Sequence, residues 1–91
     1  MSRPTILMHR DEIIPLKRAV FHSGKSAVTI RRWCKIHGIA RQTGPAAPLE
    51  ISILALEMVL HSDFEALELL RDGQRQASAV RRYVDHLGLP G

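Results

Sequence analysis

The residues of this 91-residue sequence that could do chemistry are the cations of one central block. Residues 13–49 contain seven lysines and arginines and neither aspartate nor glutamate, so the block carries a charge of +7. Such a block repels itself unless a polyanion lies against it, and nucleic acid is the commonest polyanion that proteins meet. A basic face that is merely solvated fits the composition about equally well. The seven cations are Lys17, Arg18, Lys25, Arg31, Arg32, Lys35 and Arg41.

Several candidate contact residues fall within a stretch that the spacing predicts to be a helix. At helical spacing, Val28, Arg32 and Lys35 share one side. Arginine can donate two N–H groups to O6 and N7 of guanine, whereas a phosphate contact positions a protein without specifying a sequence. We therefore expect Arg32 to read a base. Ser26 and Thr29, near the N-terminus of this helix, are expected to bond phosphate oxygens or base edges.

Two short helices joined by a glycine-containing turn are expected to position these side chains. Pro15 suits the first turn of a helix that reaches about His22. Ser26 is a favourable N-cap for a second helix, which is expected to run to about His37 and to end at Gly38.

The second helix is expected to bury one side and to leave the other side cationic. Ile30 and Trp33 share the side that packs, so Trp33 is interpreted as a core anchor. Cys34 lies on the same side and is interpreted as a small buried hydrophobe.

A small two-stranded hairpin is expected to follow. Residues 39–41 and 49–51 each alternate apolar with other residues, and the segment between them contains Gly44, Pro45 and Pro48. Turn-forming residues between two alternating runs are typical of a hairpin.

Three further helices are predicted towards the C-terminus. Ser52 is the expected N-cap of the first. Ser62 and Glu65 form the S-x-x-E pattern of a capping box at the start of the second, which is expected to end at Gly73. The third shows an apolar stripe with i, i+3, i+4, i+7 spacing, formed by Val80, Tyr83, Val84 and Leu87.

Together these elements are the parts of a winged helix-turn-helix. The expected fold class is mainly α with a small β-hairpin wing, extended by C-terminal helices. Residues 1–12 are expected to form an N-terminal arm, and residues 13–91 a single winged helix-turn-helix domain with a C-terminal helical extension.

Composition argues against several other classes of protein. A chain of 91 residues is long enough for one domain. No paired carboxylates, nucleophile–base arrangement or phosphate-binding glycine loop appears, so we expect no enzyme. A single cysteine and five scattered histidines predict no disulfide, metal or cofactor. The sequence has neither an apolar run of about 18 residues nor a signal-peptide pattern, which predicts a cytoplasmic protein without a membrane partner.

The sequence over about residues 14–60 resembles the MerR-like winged helix of phage and mobile-element excisionases. The whole chain, including residues 67–71 and 86–90, resembles the small recombination directionality factors of bacterial integrative and conjugative elements. The segments that carry the first resemblance are Leu16-Lys17-Arg18-Ala19, Ser26-Ala27-Val28-Thr29-Ile30-Arg31-Arg32-Trp33-Cys34-Lys35, Gly38-Ile39, Leu49-Glu50-Ile51 and Ala55-Leu56-Glu57.

The resemblance implies a protein that binds repeated DNA sites beside an attachment site, shapes that DNA and directs a tyrosine recombinase (integrase) towards excision. It places a recognition helix at residues 26–35 and the start of a wing at residues 41–43. The wing tip is uncharged, where many family members have a basic residue. The full set of expected DNA-binding residues is Lys25, Ser26, Val28, Thr29, Arg31, Arg32, Lys35, Arg41, Gln42 and Thr43.

The charge distribution adds an expectation about assembly. Residues 50–91 carry a charge of −3, so the two halves of neighbouring copies attract each other. We expect copies to contact each other head-to-tail on adjacent DNA repeats.

Two other functions remain open at this point. One is a small winged-helix transcriptional regulator, which shares the fold. The other is a protein-interaction adaptor or antitoxin-like module, whose basic block meets an acidic protein.

Overall fold

The computed structural model describes residues 4–90. Over this range the chain is mainly helical, with a small antiparallel sheet of three strands. In chain order the elements are a 3-10 helix Arg10–Glu12, β1 Ile13–Ile14, α1 Leu16–Ser23, α2 Ala27–His37, β2 Ala40–Arg41, β3 Glu50–Ser52, α3 Ile53–Leu60, α4 Phe64–Arg71 and α5 Ser78–Leu87.

α3 forms the centre of the core because its sequence is apolar on nearly every side. Six of its eight residues are buried, and Leu54, Leu56 and Met58 are each 0% exposed. α1, α4, α5 and β3 all pack against it. α2 packs on α1 and reaches the same core through Ile30, which is also 0% exposed.

The two helices predicted around a glycine turn are confirmed. Gly24 ends α1 in the left-handed region, with φ 71°, and its N–H donates to the Val20 carbonyl at 2.9 Å. The Ser26 hydroxyl oxygen accepts the N–H of Thr29 at 3.2 Å, as expected of an N-cap. α2 then ends at Gly38, whose φ is 63°.

The hairpin is also confirmed, although it belongs to a larger sheet. Ala40 lies opposite Ile51, and Arg41 lies opposite Glu50. β1 pairs with the other side of β3, with Ile14 opposite Ile51, so β3 is the central strand. β1 is not predictable from the sequence, because two residues are too few to show an alternation.

The expected N-terminal arm, residues 1–12, is described from residue 4 onward, where it packs against the core. Ile6 is 1% exposed and belongs to the core, and Glu12 is 2% exposed. A guanidinium nitrogen of Arg75 lies 2.7 Å from the Glu12 carboxylate and donates to the carbonyl of Leu7 at 2.8 Å. Residues 4–12 therefore pack as part of the domain, and residues 1–3 lie outside the described range.

The predicted capping box at the start of α4 is wrong. Asp63 is the N-cap, because its carboxylate accepts the N–H of Ala66 at 3.1 Å. Ser62 adopts φ 54° in the tight turn between α3 and α4, where its N–H donates to the Val59 carbonyl at 2.9 Å. The N-cap lies one residue later than the sequence pattern predicts, because Ser62 belongs to the turn that ends α3. α4 ends at Arg71, two residues before Gly73, which has φ 79°.

The last helix follows its predicted stripe. Val80, Tyr83 and Val84 are buried, and Gly88 ends α5 with φ 68°. α4 and α5 pack against α3 and against each other, and α4 also reaches the C-terminal end of α2 through Arg71 and Phe64.

Trp33 and Cys34, which helical spacing assigns to the buried side of α2, are both more exposed than predicted, and Cys34 is half-buried. Trp33 is only partly buried, although it packs against the core. Phe64 is 44% exposed and stacks on the ring of His37, with ring centroids 5.1 Å apart. Helical spacing gives the side of a helix on which a residue lies, and the depth of burial depends on the neighbouring elements.

Candidate nucleic-acid interface

An open groove of about 640 Å³ lies between α2 and the β2–β3 hairpin. Burial of Ile30 and partial burial of Trp33 hold one side of α2 against the domain, so the opposite side of the helix forms one wall of the groove. Its lining consists of Val28, Arg31, Arg32, Cys34, Lys35, Ala40, Arg41, Gln42 and Leu49.

The structure thus brings together six of the ten residues expected to bind DNA. Val28, Arg32 and Lys35 line the same groove, as their helical spacing predicts. The other four lie outside the groove lining. Lys25, Ser26 and Thr29 are at the N-terminal end of α2, and Thr43 is exposed in the hairpin loop.

The cations on α2 have no carboxylate partners among the described residues. Arg31, Arg32 and Lys35 are exposed, and no carboxylate of residues 4–90 lies within 4.0 Å of their charged nitrogens. Their charge is therefore available to an anion in solution. Cations held together on one helix wall attract a polyanion more strongly than they attract a single small ion.

Arg41 differs from these three cations. Its Nε lies 2.7 Å from an oxygen of Glu50, which is directly opposite on β3. The pair is partly exposed, with side-chain exposures of 43% and 34%, so solvent and salt weaken it. Arg41, one of the residues expected to bind DNA, is thus already partly neutralised. The charge pattern of the sequence does not reveal this pair, because Glu50 lies one residue beyond the block without acids.

Gln42 braces the hairpin loop. Its side-chain N–H donates to the carbonyl of Ala47 at 2.6 Å, and the N–H of Ala47 donates to the carbonyl of Gly44 at 3.0 Å. These two bonds fix a loop whose own residues are uncharged. Gln42 therefore shapes the edge of the groove, in addition to lining it.

Lys17 extends the basic surface from α2 to α1. A second cleft of about 370 Å³ lies beside the groove, and Lys17 and Arg31 line it together with Gln42 of the hairpin loop. Lys17 was not among the residues expected to bind DNA. Its place in the block without acids was the available signal, but the contact between α1 and the hairpin is not visible in helical spacing.

Ser26 and Thr29 form a small hydrogen-bonded unit at the N-terminus of α2. The Ser26 hydroxyl donates to the Thr29 hydroxyl oxygen at 3.1 Å and also accepts the backbone N–H of Thr29. The capping role therefore occupies the Ser26 hydroxyl. Lys25 lies beside this unit and is exposed.

Cys34 lines the groove as a half-buried thiol. Burial raises the pKa of this thiol, while the charge of Arg31 lowers it by a smaller amount. The side chain is therefore a neutral thiol at pH 7, which adds no negative charge to the groove.

Arg71, a residue of α4, contacts the C-terminal end of α2. This buried side chain, which is 3% exposed, donates to the carbonyl of His37 in the last turn of α2 at 2.6 Å and to the carbonyl of Pro4 at 3.2 Å. It also lies against Gly38, where an added Cβ would be 3.1 Å from the guanidinium. A cation at the C-terminus of a helix complements the helix dipole. No pattern in the sequence pointed to this contact between residues 34 positions apart.

A separate polar cluster connects α1 to α3 and α5. The carboxylate of Glu57, a residue only 6% exposed, lies 2.8 Å from His22 Nε2 and 3.3 Å from His86 Nε2. In residues 4–90, no group of three or more His, Cys, Asp and Glu side chains is arranged to hold a metal ion. The cluster therefore joins helices around the core, away from the groove lining.

No protein-family model matches the chain, and neither the curated proteins nor the solved structures include one with detectable similarity to it. Across residues 4–90, none of the helices has the length and apolar character needed to cross a membrane.

Proposed function

We propose that the protein binds double-stranded DNA in a sequence-specific manner, as a winged helix-turn-helix. In this proposal α1 and α2 are the helix-turn-helix, α2 is the recognition helix and the β2–β3 hairpin is the wing. The observation that carries the proposal is the groove wall on α2, where Arg31, Arg32 and Lys35 lie together and have no carboxylate partner within residues 4–90.

The dimensions of α2 suit the major groove. An α-helix with its side chains is about 10–12 Å wide, and the major groove of B-DNA is about 12 Å wide. With α2 in the major groove, Arg32 reads a guanine, and Arg31 and Lys35 contact phosphates or neighbouring base edges. The hairpin then lies against the adjacent backbone, with Gln42 holding its loop in shape.

Within this class we propose an excisionase, that is, a recombination directionality factor. The support is the sequence resemblance of residues 14–60 and the small size of the chain. Such a protein binds repeated sites near an attachment site and directs an integrase towards excision. It acts by binding and shaping DNA and breaks no bond itself, so it needs no cofactor.

Charge supports the head-to-tail contact between copies. Arg75 pairs with Glu12 of the N-terminal segment, so it does not offset the exposed acids of the C-terminal half. Glu65 and Asp72 are exposed there, and Asp85 is exposed with Arg81 3.9 Å away. In the proposed array, this acidic surface of one copy faces the basic surface of the next.

The first experiment tests DNA binding itself. Sites are selected from a random duplex library, and the affinity for the best site is measured by fluorescence anisotropy at several salt concentrations. About five phosphate contacts give a log–log slope of about −4 to −5. Arg31→Ala is expected to reduce the magnitude of this slope by about 1. Arg82→Ala, at an exposed position of α5 outside the groove lining, is the matched control and should leave the slope unchanged.

Footprinting on the DNA around the gene separates the possible roles. Several phased repeats beside a recombination site support excision, and a single inverted repeat over a promoter supports a transcriptional regulator instead. A protein that selects no duplex and shows no salt-dependent affinity for DNA would contradict the whole proposal and favour an adaptor that binds an acidic protein.

A further inference from the structure

We propose that Val28 is a specificity determinant that recognises the C5-methyl group of a thymine, within about two base pairs of the guanine read by Arg32. This inference rests on the proposed function and names what one part of the groove recognises. In this proposal the exposed apolar side chain of Val28 contacts the thymine methyl group, which the neighbouring cations recognise poorly.

Val28 is placed for a contact outside the protein. It is 65% exposed, lies in the first turns of α2 and lines the groove beside Arg31 and Arg32. It is absent from the core and from the partly buried residues packed against the core. A β-branched residue at an exposed helical position is also less favourable for the helix than a lysine or glutamine. Neither core packing nor helix propensity therefore explains a valine at this position.

The major groove of DNA offers one apolar group to such a side chain. The edges of guanine, cytosine and adenine present hydrogen-bond donors and acceptors there, and thymine adds a C5-methyl group. Arginine and lysine can satisfy the polar edges, but they gain little from a methyl group. An aliphatic side chain buries the methyl group and removes apolar area of both partners from water.

The spacing of Val28 and Arg32 along α2 sets the distance between the two bases that they contact. Val28 and Arg32 are four residues apart, which is about 6 Å along the helix axis. Base pairs in B-DNA are about 3.4 Å apart, so the two side chains reach positions separated by about two steps. Arg32 and Val28 together therefore favour a site that contains a thymine close to a guanine.

The side chain of valine is also stiff, which helps discrimination. In a helix, about 90% of valines adopt one χ1 rotamer, so both methyl groups of Val28 are already fixed before DNA binds. Little conformational entropy is lost when the contact forms.

The test removes single methyl groups from the DNA. In the selected site, each thymine in turn is replaced by deoxyuridine, which lacks only the C5-methyl group, and affinity is measured by anisotropy. We expect one thymine at which the replacement weakens binding of the wild-type protein about fourfold, the fold-change corresponding to one buried methyl group. Val28→Ala should bind the thymine and deoxyuridine sites equally well. Its affinity for the deoxyuridine site should match that of the wild-type protein.

Ile36→Ala is the matched control. Ile36 is another aliphatic residue of α2, 53% exposed, and it lies outside the groove lining. This variant should keep the full dependence on the thymine methyl group. A C·G variant of the site with 5-methylcytosine in place of cytosine restores a methyl group at the same position. The wild-type protein should bind this methylated variant more tightly than the unmethylated C·G variant. Val28→Ala should bind the two with equal affinity.

Two results are distinguishable. Specific binding with no deoxyuridine effect at any position, or an equal effect in Val28→Ala, overturns the inference about Val28 and leaves DNA binding intact. Failure to select any duplex overturns the proposed function, and this inference with it.

Discussion

The charged residues of this protein occupy two contrasting environments. On the groove wall of α2, Arg32 and its neighbours are exposed and have no carboxylate partners among the described residues. At the junction of the N-terminal segment with the C-terminal helices, Arg71 and Arg75 are largely buried and bonded to carboxylates and backbone carbonyls. The carboxylate that pairs with Arg75 is that of the buried Glu12. The same residue type therefore serves two purposes.

The difference shows that counting charges along the sequence is not enough to identify a binding surface. A buried, fully bonded arginine contributes to the architecture, because removing its partner leaves an uncompensated charge. An exposed and unpaired arginine contributes little to stability, and its charge remains available to a ligand. Substitutions in the two environments separate these two roles, and the largest effect is expected at a buried residue.

Glu12→Ala is expected to be the most destabilising substitution. The Glu12 carboxylate pairs with Arg75 at 2.7 Å, accepts the N–H of His9 at 2.9 Å and accepts the hydroxyl of Ser52 at 2.5 Å. Its loss leaves these groups without their partner, at a cost of about 3–5 kcal/mol in the free energy of unfolding. Urea denaturation followed by circular dichroism measures the change. Arg32→Ala, on the exposed wall, should change stability by less than about 0.5 kcal/mol; equal losses in the two variants would remove the contrast.

Tyr83→Phe tests a second buried contact and its dependence on pH. The Tyr83 hydroxyl donates to Asp63 at 2.7 Å, and the residue is 8% exposed. Removing a hydrogen bond to a carboxylate costs about 1.5–3 kcal/mol at neutral pH.

Burial, together with the hydrogen bond and the charge of Asp63, raises the pKa of Tyr83 to about 12. The unfolded chain releases this proton near pH 10, before the folded protein does, so the stabilisation is complete below pH 10 and declines as the pH rises towards 12. The difference in stability between wild type and Tyr83→Phe should therefore shrink between pH 10 and pH 12. If the difference stays constant over that range, the pKa of Tyr83 is not raised by the fold.

Arg32→Ala is expected to change discrimination more than stability. Loss of a bidentate contact to guanine costs about 1–3 kcal/mol of discrimination, or about 5- to 150-fold between the selected site and a site with that guanine replaced. Competition anisotropy with both duplexes measures the ratio. Lys35→Ala is the comparison on the same wall. An equal fall in affinity for both duplexes would make Arg32 a phosphate contact.

Much of the fold could be predicted from the sequence because its signals are local. Ser26 and Gly38 are the residues that directly flank α2 and mark its two ends, and Gly88 marks the end of α5. Hydrophobic periodicity then gave the side of each helix that packs. The capping residue of α4 was misplaced by one position because two adjacent residues, Ser62 and Asp63, are both able to cap a helix.

The contacts that connect distant parts of the chain could not be predicted in this way. Arg71 reaches residues 34 and 67 positions away, and β1 pairs with a strand almost 40 residues later. The candidate groove was predictable on its α2 wall, where spacing alone aligns Val28 with Arg32. Its hairpin wall was not, because the pairing of Arg41 with Glu50 depends on the register between two strands.

Glu50→Gln makes the smallest change, and it converts a paired cation into an unpaired one. Arg41 lines the groove, but it is held by Glu50 across the hairpin. Because the pair is partly exposed, its loss should alter stability by less than about 1 kcal/mol. Release of Arg41 should strengthen DNA binding about two- to threefold and make the salt slope steeper by about 0.9, as expected for one additional phosphate contact.

Glu65→Gln is the control for net charge. It removes one exposed carboxylate from α4, outside the groove lining, and so changes the total charge by the same amount. Anisotropy titrations of both variants use a duplex with a single site, on which no second copy can contact Glu65. At four salt concentrations they separate a local effect from a global one. If Glu65→Gln strengthens binding as much as Glu50→Gln does, Arg41 takes no part in the interface, and the binding surface is confined to the α-helical wall.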